Sequence, residues 1–223
     1  MDRPLEDGAG AAWRKDLANL RGLNRYFGAY RVVRWFFRGR FRAGGAASVL
    51  DLATGSGDIP RLVVDLARRA EAEISVTAVD RHPVTLGIAR ELSGGYPEIR
   101  FVEGDAREDV GGDGQFDYVL CSLALHHFGE EDAVKVLERA RARARRAVLV
   151  VDLRRSIFLG VGVGLVTATI YRDPMTVTDG RMSARAAFSG SEFRALAGRA
   201  GWMSSGYRRF LWGRQAIWEE IDR

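Results

Sequence analysis

Cysteine is nearly absent from this chain. Its 223 residues include one, Cys121, so no internal disulfide can form, which fits a reducing compartment. Long apolar runs are missing as well. The longest, Ile157 to Ile170, is glycine-rich and only 14 residues long, whereas a spanning helix needs about 20. It reads as a buried or interfacial helix, or as a pocket wall. Met1 to Gly10 carries both charge signs and no apolar core, so no secretory signal pattern is visible and a cytoplasmic location is expected. The three histidines and the single cysteine show no ligand spacing, so no metal site is expected. Internal repeats are absent, and the one compositional bias is the Arg/Ala stretch near 139–146.

What is present is ordinary globular material. Hydrophobic residues make up 47% and charged residues 28% of the chain, enough for one domain with an appendage and a full core. The net charge is +5, supplied by arginine. Such a surface could meet nucleic acid or an anionic membrane. The commoner meaning is a solvated basic face, so no nucleic-acid partner is expected, while peripheral membrane contact stays open.

The most informative stretch is Val49-Leu50-Asp51-Leu52-Ala53-Thr54-Gly55-Ser56-Gly57-Asp58-Ile59. An apolar run ends in a carboxylate, a short glycine loop follows, and a helix begins. This is the first strand–loop–helix turn of a doubly wound sheet, where ligands bind at the carboxyl ends of the strands. Gly55 and Gly57 let backbone come close to a ligand. Asp51 at the loop entrance would repel a phosphate, and the third glycine of the dinucleotide fingerprint falls on Pro60. The loop therefore suits a ligand with a cationic end.

Strands and helices alternate from there. Strands are expected at Ser48–Leu52, Ile74–Val79, Ile99–Val102, Phe116–Cys121 and Ala147–Val151, and helices at Ile59–Arg69, Val84–Leu92 and Glu131–Arg146. That alternation predicts a parallel sheet. Ahead of it, Ala12 to Phe41 predicts two amphipathic helices interrupted by glycine, closed by a Gly44-Gly45 linker. After it come an excursion over 157–188, a helix at Ser191–Ala200 capped by Ser191, and two strands, Tyr207–Trp212 and Gln215–Ile221, around Gly213-Arg214.

The glycine loop resembles motif I of the class I methyltransferases that use S-adenosylmethionine, in particular the branch that methylates quinones and other small molecules, with its LDLATGSGD-type sequence. Ala53 stands at the first glycine of that family's D-x-G-x-G-x-G. The resemblance implies a doubly wound, mostly parallel seven-stranded α/β sheet ending in an antiparallel pair. It also implies S-adenosylmethionine as the methyl donor, whose ammonium and sulfonium match the demand for a cationic ligand, with S-adenosylhomocysteine as product. We expect an N-terminal helical lid over 1–45 and a cofactor-binding domain over 46–223, with a substrate-cap insertion at about 153–190.

The resemblance assigns cofactor contacts to Asp51, Ala53, Thr54, Gly55 and Gly57 and, after the second strand, to Asp80 and Arg81. Asp80 would accept from the ribose hydroxyls; a helix cap explains an Asp there equally well. Asp105 would accept from the adenine amino group with Ala106 beside it, although a plain turn Asp also fits. Cys121, Ser122 and Leu123 would line the methionine part.

The adjacent His126 and His127 follow the fourth strand. Histidine suits base work near neutrality, and local packing is the equal alternative. Asp152 ends the fifth strand, which should neighbour the fourth, so His126 and Asp152 could meet across the cleft. A carboxylate beside an imidazole fixes its tautomer; the competing reading is a solvated acid or a partner of Arg154. The acid cluster of the magnesium-dependent catechol type, the Asn/Asp-Pro-Pro-Tyr of amino methylation and the Pro-Cys of cytosine C5 methylation are all absent from the corresponding places.

The acceptor is expected to be small and hydrophobic, methylated on oxygen. Tyr26, Tyr30, Arg154 and Tyr171 are the expected acceptor contacts, within an aromatic set that adds Phe27, Trp35, Phe158, Leu159 and Phe188. Arg172, Arg181 and Arg185 are available for an acidic group. An RNA- or protein-methylating enzyme, or a non-catalytic cofactor-binding module, remain the alternatives. Oligomeric state is left between monomer and homodimer.

Overall fold

The computed structural model describes residues 7–26, 28–110, 114–155 and 174–221. Two helices come first, α1 (Asp7–Tyr26) and α2 (Ala29–Phe37), split at Gly28 with φ +99°. The β/α alternation follows as β1 (Ala46–Leu52), α3 (Asp58–Arg69), β2 (Glu73–Asp80), α4 (Pro83–Leu92), β3 (Ile99–Glu103) and β4 (Phe116–Ser122). A 3-10 turn (Leu125–His127), α5 (Glu130–Arg143) and β5 (Ala144–Leu153) continue it. The chain ends with α6 (Pro174–Ala186), α7 (Gly190–Arg199), β6 (Gly206–Phe210) and β7 (Arg214–Glu220). No described helix is long and apolar enough to cross a membrane.

The seven strands form one sheet in the order β3-β2-β1-β4-β5-β7-β6. Pairing is parallel from β3 through β5, and β7 runs antiparallel to both β5 and β6. The order reverses between β1 and β4, which opens a crevice at their carboxyl ends. Alternate residues of each strand enter opposite cores, as the two-residue strand period requires. Leu50, Val119, Val148, Val150 and Ile217 pack with Val136 and Leu137 of α5 and Phe193 of α7. Val49, Leu120, Leu149, Val151 and Ala216 pack with Val33 and Phe36 of α2 and Val63 of α3. Helices thus cover both faces, which explains why the central strands read as unbroken apolar runs.

Three sequence expectations about the elements need correction. The fifth helix ends at Arg143 and not at Arg146, because Ala144 already pairs with Phe116 in the sheet. Arg145 and Arg146 therefore stand at the strand's start, facing Asp117 at 3.4 and 3.1 Å. The cap of α7 is Ser189 and not Ser191. Ser189 accepts from the Glu192 amide and Glu192 returns the bond to the Ser189 amide, a reciprocal capping box. Gly22 lies within α1 and does not interrupt it. Two residues of the aromatic set pack into the cores, the reading that sequence favours for any single member. Trp35 packs edge-on to Phe210 and Trp218. Phe188 is buried in the core on the α5 side.

Candidate active site

The glycine loop leaves β1 in a backbone conformation that L residues resist. Ala53 has φ +55°, Gly55 +57° and Gly57 +71°. Ala53 thus adopts, at the place where the motif has glycine, the geometry that glycine adopts freely. A left-handed L residue costs about 1–2 kcal/mol, and glycine adds back some unfolded-state entropy. Ala53→Gly should therefore leave stability unchanged or raise it by up to about 1 kcal/mol. Chemical denaturation measures this, and a loss above that size would show that the Ala53 methyl contributes packing outweighing its backbone strain.

The loop is pinned from below. The Thr54 amide donates to the Val79 carbonyl at 2.8 Å, and the Gly55 amide to Asp80 Oδ2 at 2.9 Å. On Gly57 a Cβ would stand 3.0 Å from the Phe101 ring, whereas on Gly55 it would meet nothing within 4 Å. Gly57 serves close packing, and Gly55 borders open space.

Asp51 is 1% exposed. One of its oxygens accepts from the Thr54 hydroxyl at 2.6 Å. The other, Oδ1, is buried and has no hydrogen-bond partner. Burial, opposed by the Thr54 bond, pushes its pKa up to about 7, and the negative charges of Asp58 and Asp80 add to that rise. Asp51 thus leaves the loop a buried acceptor with no hydrogen-bond partner, in a field made more negative by Asp58 and Asp80. The ammonium-bearing end of S-adenosylmethionine fits it, and a phosphate does not.

Asp80 spends its other oxygen on the His82 amide at 3.0 Å. The cap residue of α4 is His82, so Asp80 braces the turn from outside the helix. Arg81 follows on the surface, its Nε 3.4 Å from His82 Nε2. Asp105 is engaged more heavily than expected. Arg107 donates from its backbone amide and Nε to Oδ1, and from Nη2 to Oδ2 at 2.6 Å, and also reaches Asp132 at 2.8 Å. These contacts hold the Asp105 carboxyl near 2, below its usual range. The turn role is therefore real, and an adenine amino group would share this carboxylate with Arg107. Ala106 is buried against the core.

The loop after β4 carries the second constellation. Cys121 is fully buried and its thiol is pushed far up by desolvation, so it is no nucleophile. Ser122 Oγ is buried without a partner. Leu123 has φ +56°, and its amide donates to the Val151 carbonyl at 2.7 Å, turning the chain into the 3-10 turn. There His126 Nδ1 lies 2.6 Å from Asp152 Oδ1, and the His126 amide donates to Oδ2 at 2.8 Å. The Leu153 amide donates to Oδ1 at 2.7 Å. Asp152 is fully buried, so it is not a solvated strand-end acid. An ionised carboxylate can only accept, which puts the imidazole proton on Nδ1 and leaves Nε2 as the free lone pair. His127 is the more exposed ring, 4.1 Å from the His126 ring. Partial desolvation and the neighbouring His126 lower its pKa to about 4, so it is a neutral and weak base at physiological pH.

The expected acceptor residues scatter. Tyr26 is 71% exposed. Tyr30 gives its hydroxyl to Asp58, which Asn24 Nδ2 also reaches at 3.1 Å. Tyr30 thus ties the N-terminal helices to the first turn of α3. Arg154 donates its amide to the Gly213 carbonyl at 2.7 Å and keeps a buried Nε without a partner. Arg181 and Arg185 are exposed. Tyr171, together with Phe27, Phe158, Leu159 and Arg172, lies outside the described residues. Above the strand ends, α6 packs against both α1 and the 3-10 turn. Trp13 of α1 donates to Thr85 Oγ1 at 3.1 Å, beside the turn that holds Asp80. Sequence reading missed Arg214. It took Gly213-Arg214 for a turn, and no local signal says that this arginine starts a strand and is 5% exposed.

This sheet order, with a glycine loop on β1 and a ligand crevice beside β4, is the fold of the S-adenosylmethionine-dependent methyltransferases. Residues 49–147 match the family described as methyltransferase domain, so the chain carries such a domain. The demethylmenaquinone methyltransferase of Thermus thermophilus is 36% identical over 103 residues, 45% of this chain and 45% of that protein. The 2-phytyl-1,4-naphtoquinone methyltransferase of Thermosynechococcus vestitus is 43% identical over 60 residues, 27% of this chain and 25% of that protein. The chain thus matches less than half the length of either relative. Among solved structures, human N-acetylserotonin methyltransferase in complex with SAM superposes with a TM-score of 0.67 at 16% identity, covering 98% of this chain and 60% of that one.

Proposed function

We propose that the protein transfers the methyl group of S-adenosylmethionine to a small, hydrophobic hydroxyaromatic acceptor of the naphthoquinone type. The observation that carries this reading is the buried His126–Asp152 pair, one strand away from a glycine loop whose Asp51 lacks a cation. The names of the partial relatives support the acceptor class.

In this reading the bound donor supplies an electrophilic methyl on a positively charged sulfur. Asp51 receives the ammonium, Gly55 lets the donor come close to the backbone while Gly57 packs the loop against Phe101, and Asp80 accepts from the ribose while bracing Gly55. Ala53, Thr54, Ser122 and Leu123 complete the donor's wall, with Asp105 and Ala106 at the adenine. His126 takes the acceptor's hydroxyl proton at Nε2, and Asp152 holds the resulting imidazolium. The acceptor's electron pair forms the new bond to carbon as the carbon–sulfur bond breaks, and its electrons leave on a neutral sulfur. Deprotonation makes an ambident anion. Attack through oxygen gives a methyl ether, which we favour. Attack through the adjacent ring carbon gives a dienone, which loses that carbon's proton to solvent and becomes the ring-methylated product. Alignment of the two reactants can supply about 7–11 kcal/mol. The N-terminal helices and α6 form the lid in this scheme, excluding water from the transfer.

Calorimetric titration with S-adenosylmethionine tests the reading, beside Asp80→Ala and an NADH control. Micromolar binding to the wild type, weakened about 10- to 100-fold in the variant through loss of charged hydrogen bonds, is the expected result. Absence of binding at millimolar donor sinks the proposal. With binding in hand, proton NMR of products from hydroxynaphthoquinols separates oxygen from carbon methylation by the chemical shift of the new methyl group.

A further inference from the structure

Arg214 is a buried cation that the fold itself does not use. It begins β7 opposite Leu153 of β5 and is 5% exposed. Its Nε is buried without a hydrogen-bond partner. Asp152 is the carboxylate whose charge acts on it, yet the Asp152 oxygens are taken by His126 Nδ1 and by the amides of His126 and Leu153. Burial lowers the guanidinium to about 10, so it stays charged at physiological pH. A desolvated charge that no hydrogen bond reaches among the described residues is costly to a fold.

The surroundings indicate what would meet that charge. A Cβ on Gly28 would lie 3.6 Å from the Arg214 Cγ, so the break between α1 and α2 sits directly against this side chain. Leu153, its cross-strand neighbour, packs with Leu123, Ala184 and Ala187. A lone guanidinium thus adjoins apolar walls at the carboxyl edge of the sheet, next to the carboxylate that orients His126. Its planar donor set matches an oxyanion.

We propose that Arg214 binds the anionic oxygen of the methyl acceptor, so that the acceptor is held as an ionised hydroxyaromatic or enol. This rests on the methyltransferase reading and adds to it the charge state of the ligand and the residue that selects it. Arg172, Arg181 and Arg185 are the arginines that sequence offers for an acidic group; Arg181 and Arg185 are exposed, and Arg172 lies outside the described residues.

The test is calorimetry at pH 8 with saturating S-adenosylhomocysteine. The probes are 2-hydroxy-1,4-naphthoquinone, which is ionised there, and its neutral 2-methoxy ether. Wild type should prefer the ionised probe at least tenfold. Arg214→Met should bind both equally, Arg214→Lys should keep part of the preference, and all three should bind S-adenosylhomocysteine alike. Arg214→Gln, neutral and polar, carries the same comparison should the Met variant not fold. A preference that survives Arg214→Met or Arg214→Gln overturns the assignment. So does a wild type that binds S-adenosylhomocysteine but shows no preference, and in that case the methyltransferase reading stands. A wild type that binds neither S-adenosylhomocysteine nor the probes overturns both.

Discussion

His126→Gln should lower the methyl-transfer rate about 10²- to 10⁴-fold, the usual contribution of a positioned general base, while leaving donor affinity unchanged. Asp152→Asn should approach the same loss by a different route. An amide at this position can donate to Nδ1, which moves the imidazole proton to Nε2 and removes the free lone pair. The amide also has one accepting oxygen where the carboxylate uses two, for His126 Nδ1 and the backbone amides of His126 and Leu153. Asp152→Asn should therefore destabilise the protein by about 1–3 kcal/mol, and His126→Gln much less. Single-turnover rates at saturating donor, alongside calorimetric Kd values, separate chemistry from binding. The effect should shrink for acceptors of lower pKa, which ionise without help. An unchanged rate in His126→Gln across acceptors of differing acidity would remove the dyad from the mechanism. His127→Gln is the matched comparison: its low pKa makes it a poor base, and its loss should cost far less.

Asp51→Asn should weaken S-adenosylmethionine binding by about 2–5 kcal/mol, the range for removing one member of a buried charge pair. The pH dependence carries the more specific signature. The Asp51 carboxyl is held near 7 in the fold against 3.8 outside it. Between those values the folded protein binds more protons than the unfolded chain, so stability falls as pH rises through that window. Asp51→Asn should therefore raise the melting temperature of the ligand-free protein at pH 8 and change it little at pH 4. Donor binding has the opposite slope. The cation needs the ionised carboxylate, so affinity should drop as pH falls below about 7, approaching tenfold per unit. Calorimetry across pH 5.5 to 8 should show this slope in wild type and a flatter one in Asp51→Asn. Equal slopes in the two proteins would show that another group, such as Asp58, governs the titration.

The chain's own order carried much of this. The short apolar strand runs, the Asp51–Gly57 loop and the strand-end acids Asp80, Asp105 and Asp152 can be read locally, because each is a short pattern with one backbone solution. The sheet class, the ligand crevice and the residues that border it follow from those patterns. Tertiary structure decided what each group is bonded to. Asp132 proved tied to Arg107, and Tyr30 to Asp58. Neither pairing is visible in sequence, since the partners of a side chain depend on which elements become neighbours. The burial of Arg214 has the same cause. Burial is a property of the packed whole, and an arginine after a turn glycine looks solvated until β7 is laid against β5.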